Sequence, residues 1–184
     1  MVYDCEFWAC GGAIQFPSLK TGTNTLFAKE MTSDSPITFQ IESFIGALPL
    51  RFGMSQDEVV KAIGAPRTNS TNYLGGATFN YYSPGLDLNV GFDKDTGLAT
   101  HFGFGRLSSV RFGQLDVFGD PTCWKSIVGM SSDCHEWVGF IICCDLGIQL
   151  SGFHDDDESQ LAISMFPEGD YERHRPKFKP FSLS

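Results

Sequence analysis

The feature that most constrains this chain is its likeness to itself. Around residue 85 it reads Gly85-Leu-Asp-Leu-Asn-Val-Gly91-Phe92-Asp93-Lys-Asp95, then Leu98-Ala99 and a run ending at Phe104. Around residue 147 it reads Gly147-Ile-Gln-Leu-Ser-Gly152-Phe153-His154-Asp155-Asp156, then Leu161-Ala162 and a run ending at Phe166. Upstream, Phe79-Asn-Tyr-Tyr82 stands where Phe140-Ile-Ile-Cys143 stands in the second stretch, and Arg51-Phe52-Gly53 recurs as Arg111-Phe112-Gly113. Several matches in one order, at an offset of about sixty residues, point to a duplicated module.

Each copy predicts the same elements. In the first, Ser55-Gln-Asp-Glu58 is a capping box, Val59, Val60 and Ile63 form a helical stripe, Gly64 is a stop and Pro66 forbids continuation. Three alternating runs follow over 77–82, 86–92 and 98–104, with Asp93-Lys-Asp-Thr-Gly97 as a tight turn between the last two. The second copy predicts a helix near Pro121–Met130 and strands near 137–143, 146–151 and 161–166. The expected fold is therefore α+β, two tandem repeats, each a helical segment packed on a short antiparallel meander. The expected divisions are an N-terminal extension over 1–43, repeats over 44–106 and 107–167, and a charged, Pro-interrupted tail over 168–184 that lies on the surface. Within the extension, Met31 is an alternative start, or Phe7, Trp8, Ile14 and Phe16 pack an extra strand pair.

Alternation assigns faces. Leu86, Leu88, Val90, Phe92, Phe79, Tyr81, Thr100 and Phe102 are expected inward, leaving Asn80, Tyr82, Asp87, Asn89 and His101 outward. Carried into the second copy, the repeat register puts Phe140, Ile142, Ile148, Leu150, Ile163 and Met165 inward. Trp137, Ile141, Cys143, Gln149, Ser151 and Ser164 then lie outside. A sheet with helix on one face leaves the other wet or open to a partner, and polar residues mixed with aromatics suit recognition. A solvated sheet face is the competing reading.

Composition narrows the partner. The 184 residues hold 13 Lys+Arg against 22 Asp+Glu, a formal net charge of -9. That disfavours nucleic acid and anionic membrane, both of which need a basic footprint, and favours a basic partner. The acidic turns Asp93/Asp95 and Asp155-Asp156-Asp157 hold corresponding places in the two copies and would steer such a partner toward the face. No run reaches the ~18 apolar residues of a membrane helix, and the start carries acids where an export signal carries Lys or Arg. A cytoplasmic protein is expected. Its six cysteines, Cys5, Cys10, Cys123, Cys134, Cys143 and Cys144, are then expected to be buried thiols.

Chemistry-bearing motifs are sparse. Cys134-His135 are sequence neighbours whose side chains diverge on a strand, a poor nucleophile–base pair. Cys134, His135, Cys143 and Cys144 lack the two Cys-x-x-Cys knuckles of a zinc site. The acidic turns lack the terminal glutamate of a calcium loop, and Gly75-Gly76 has no Lys-Ser/Thr after it to cradle phosphate. No metal, cofactor or catalytic residue is expected.

The run Leu48-Pro-Leu-Arg-Phe-Gly-Met-Ser55-Gln-Asp-Glu-Val59, closed by Ile63-Gly-Ala-Pro66, resembles the helix opening of modules like the β-lactamase inhibitory protein. In that family, two tandem modules form a concave sheet surface that clasps another protein. The chain also resembles small cytoplasmic immunity proteins of bacterial polymorphic toxin systems. The likeness is clearest over 44–104 and weaker over 105–167. The second helix of each module is not visible here, and the second copy opens without a good capping box. By position it picks out Asn80, Tyr82, Asp87, Asn89 and His101 with their second-copy counterparts. The resemblance implies a protein-binding inhibitor, most simply one that occludes a cognate toxin such as a basic nuclease. The alternative is a small cytoplasmic hydrolase using a Cys or His of the second copy.

Overall fold

The computed structural model describes residues 37–72, 74–154 and 158–183. The expectations placed on residues 1–36, including Met31, and on Asp155, Asp156 and Asp157 lie outside the described residues. In chain order the strands are β1 (Thr38–Glu42), β2 (Gly46–Leu48) and β3 (Leu50–Arg51), then helix α1 (Gln56–Ile63). Next come β4 (Thr68–Thr71), β5 (Ala77–Ser83), β6 (Leu86–Phe92), β7 (Ala99–Gly105), β8 (Ser109–Phe112) and β9 (Leu115–Asp116). Helix α2 (Cys123–Met130) precedes β10 (Cys134–Trp137), β11 (Phe140–Cys143), β12 (Ile148–Ser151), β13 (Ala162–Met165) and β14 (Lys179–Pro180).

The described strands make two sheets. One has the order β3-β2-β1-β8-β9 and the other β14-β10-β11-β12-β13-β7-β6-β5-β4. Every pair in the nine-stranded sheet is antiparallel, and β7 meets β13 where the runs β4–β7 and β10–β13 join. In the five-stranded sheet β1 pairs with β8 in parallel.

This architecture overturns the α+β expectation of helices packed on two short meanders. Strands dominate, and the two α-helices among the described residues have eight residues each. At 1.5 Å per residue such a helix is only ~12 Å long, far too little to cover nine strands spaced ~4.8 Å apart. The five-stranded sheet supplies the cover. Phe39 of β1 packs on Phe104 of β7 with ring centroids 4.9 Å apart, and Phe52, just after β3, stacks on Phe102 at 5.0 Å. Between the layers Leu50, Leu88, Val90, Ile148, Leu150 and Ile163 are fully buried. The helices fill the remaining area through Val59, Ile127 and Val128.

Local signals act where they were legible. Ser55 caps α1, its side chain accepting from the Glu58 amide while Glu58 accepts from the Ser55 amide at 2.8 Å. Gly97 closes the β6–β7 turn at φ 69°, a left-handed value that a side chain disfavours. One face assignment differs nearby. A bulge opposite Gly91 and Phe92 pairs Phe92 with Ala99 and Gly91 with His101, so Thr100 is skipped and Ala99 takes the buried place.

Candidate functional site: one face of the nine-stranded sheet

The face turned away from the core carries a row of side chains in strict cross-strand register. From β4 to β14 it reads Thr68, Asn80, Asn89, Gly103, Ser164, Gln149, Ile142, His135 and Pro180. Directly opposed residues of an antiparallel pair point the same way, so all nine positions share one surface. Tyr82 pairs with Asp87, and Thr78, Gly91 and His101 form a neighbouring row on the same surface.

The structure thus brings Asn80, Tyr82, Asp87, Asn89, His101, Ser164, Gln149 and Trp137 onto one surface. Strand β11 faces the opposite way from the expectation. Ile141 pairs with Leu150 and Cys143 with Ile148, so both point into the core, whereas Ile142 and Phe140 share the outer face with Gln149 and Trp137. Strand β11 departs from the parity that the self-likeness suggested, and an apolar run on both faces hides such a shift.

The two halves of this face are in different states. Over β10–β13 it is covered by the C-terminal segment. Trp137 stacks on His174 with centroids 4.7 Å apart and packs on Phe178 at 5.5 Å, and His135 meets Phe178 at 5.4 Å. The Tyr171 hydroxyl donates to Gln149 Oε1 at 2.5 Å, and its ring lies 4.4 Å from Phe166. Ile142, between His135 and Gln149 in the row, is fully buried. Arg175 pins the segment, donating to Asp133 Oδ2 at 2.6 Å and to Glu172 Oε1 at 2.8 Å. The docking of the tail's rings on the sheet is what sequence reasoning missed. Tyr171, His174 and Phe178 were its signal, since a purely solvated tail has little reason to carry three rings in eight residues.

Over β4–β7 the face stays open. Tyr82 is 46% exposed, and its hydroxyl donates to Asn89 Oδ1 at 3.4 Å. Asn80 donates to Ser70 Oγ at 3.1 Å. Gly91 and Gly103 leave room for His101 to lie flat. A Cβ on Gly91 would stand 3.2 Å from His101 Cβ, and one on Gly103 would stand 3.5 Å from His101 Nε2. Burial of that ring lowers the His101 pKa to about 4, so it is neutral at pH 7. Asp87 folds its carboxylate over Gly105, where a Cβ would clash with Oδ2, and burial raises its pKa. At the end of this half Asp93 Oδ1 accepts from the Asp95 and Thr96 amides and the Thr96 hydroxyl, which lowers the Asp93 pKa. Asp95 points into solvent beside it.

Among the described residues, one cluster could hold a metal or act on a substrate. Asp133, His135 and Cys144 each place a donor atom within 4.8 Å of the others. Asp133 Oδ1 stands 2.7 Å from His135 Nε2, and His135 Nδ1 is buried with no hydrogen-bond partner among the described residues. Both Asp133 oxygens, however, take hydrogen bonds from Arg175. That places a fixed positive charge where a cation would sit and holds the Asp133 carboxyl below the usual range. Desolvation raises the Cys144 thiol to about 11, the opposite of an activated nucleophile.

No protein-family model and no curated protein matches the chain. Among solved structures it is similar to an extracellular protein containing an SCP domain from Bacillus anthracis str. Ames, at 11% identity and a TM-score of 0.44. The match covers 87% of this chain and 56% of that one, so this chain spans little more than half its length.

Proposed function

We propose that the protein is a binding module that inhibits another protein by covering it with the open half of the sheet face. The concrete form is an immunity protein that neutralises a cognate, basic toxin by steric occlusion. One observation carries the reading: the cross-strand row is sealed by the chain's own tail over one half and left open, with an exposed tyrosine, over the other. The tail packs on Trp137, and Ile142 beneath it is fully buried, whereas Tyr82 is left largely in water, which favours a surface for contact over one for packing. The open half mixes amide, hydroxyl, imidazole and aromatic groups on rigid strands, the composition of a protein-binding patch. The net charge of -9 suits a basic partner.

The hydrolase reading has the Asp133–His135–Cys144 cluster in its favour. Against it stand the Arg175 bridge and the raised thiol, so binding is the better-supported function. The test is co-expression in a bacterial host with the C-terminal domain of the protein encoded immediately upstream. Growth arrest by that domain alone, relieved by this chain with co-purification of the two, is the expected outcome. A harmless neighbour, or killing that this chain does not relieve, would remove the immunity reading.

A further inference from the structure

Cys134 and Cys143 face each other across the β10–β11 ladder. The Cys144 amide donates to the Asp133 carbonyl at 2.9 Å, so residues 133 and 144 are a hydrogen-bonded pair. The adjacent pair, Cys134 and Cys143, is then of the non-hydrogen-bonded kind. Such pairs hold their Cα atoms ~4.5 Å apart with side chains at their closest, within the ~4.4–6.8 Å that a disulfide spans. Both thiols are free, and the Cys134 thiol has a long contact, 4.0 Å, to the Val128 carbonyl. Cys143 is fully buried and Cys134 half-buried, so a reagent meets Cys134 first. Cys144 is on the opposite face, beside Asp133 and His135.

We propose that Cys134 and Cys143 form an oxidation site that a low-molecular-weight disulfide of the glutathione class converts to a cross-strand disulfide. The Cys134 thiol gives up its proton, and its thiolate attacks one sulfur of R–S–S–R. The S–S bond of the reagent breaks, a mixed disulfide forms on Cys134, and the departing thiolate takes up a proton as RSH. Cys143 then loses its proton and attacks the Cys134 sulfur. The Cys134–Cys143 bond forms as the mixed disulfide breaks, and the second RSH leaves. Two protein thiols are oxidised by two electrons, and one small disulfide is reduced to two thiols. The bond would lock the strand that carries the tail, since Phe181 donates to the Cys134 carbonyl at 3.0 Å and β14 pairs with β10. None of this chemistry depends on the inhibitor reading.

The experiment treats the folded full chain with oxidised glutathione, caps remaining thiols with iodoacetamide and maps the products by fragmentation mass spectrometry. The expected wild-type product lacks two hydrogens at Cys134 and Cys143, with Cys144 capped. Cys143→Ala is expected to stop at a glutathione adduct on Cys134, and Cys144→Ala to leave the wild-type bond intact. Full capping of all six cysteines after treatment, or a bond that includes Cys144, Cys5 or Cys10, would overturn the proposal. If circular dichroism shows that Cys143→Ala does not fold, the wild-type map decides alone by the same criteria.

Discussion

His101 lies on the open face in space cleared by two glycines, and its protonation couples that face to stability. Its pKa falls from the ordinary 6.5 to about 4 in the folded chain because burial disfavours the charged ring. The unfolded chain therefore binds the proton first as pH drops, so this contribution is present above about pH 6.5 and is lost progressively down to about pH 4. A full shift would be worth ~3 kcal/mol at ~1.4 kcal/mol per pH unit, and the ring's residual exposure reduces that. Urea unfolding of wild type and His101→Gln between pH 7 and 4 should show a shallower acid limb in the variant. Parallel limbs would mean that the ring is solvated. Deeper in, Leu88→Ala removes a fully buried side chain from between the two sheets and should cost about 2–5 kcal/mol in the same assay. A loss below 1 kcal/mol would contradict the sheet-on-sheet core.

At the scale of elements, the tail is held by contacts of unequal weight. The Arg175 bridges to Asp133 and Glu172 are partly in water, where such pairs are worth ~1 kcal/mol or less. The rings of Tyr171, His174 and Phe178 on Trp137 bury apolar area and carry more. Arg175→Ala should therefore speed hydrogen exchange at the Phe178 and Phe181 amides several-fold while leaving the amides of β6 and β7 unchanged. Trp137→Ala should speed it further. Equal exchange throughout would show that the tail opens only with the whole fold. Helix α1 was legible in the sequence because its determinants are local: Ser55 and Glu58 are three residues apart and cap one another. Ser55→Ala should cost about 1 kcal/mol by thermal or urea melting. The tail was not legible as a cover, because its charges and Pro176 dominate its composition and its anchor, Trp137, lies more than thirty residues upstream. The inverted face of β11 has a similar cause. Phe140-Ile-Ile-Cys143 is apolar at every position, so period two carries no information there.

For the whole molecule, what could be read was what alternation and turn chemistry encode within a few residues. The strands β5, β6 and β7, their outward polar set and the helix before them all follow from short windows. The five-stranded sheet does not. Its central pairing joins Phe39 to Val110 in parallel, and no local pattern signals a partner that far along the chain. Missing that sheet is why helices were expected to cover the core. The open half of the candidate face belongs to the legible part, and the covered half to the part that required long-range contacts. Trp137 and Gln149 show the difference, since each points outward and each is taken up by the tail.

The most direct measurement is rescue of growth in a host expressing the domain proposed as the toxic partner, with variants from the two halves of the face. Tyr82→Ala and Asn89→Asp change the open half. Tyr171→Phe changes the covered half with little effect on packing. Each variant is first matched to wild type by thermal melting. Loss of rescue by the first two, with Tyr171→Phe rescuing as wild type does, is the expected result. Full rescue by both open-half variants would contradict a binding surface on the exposed strands of this sheet.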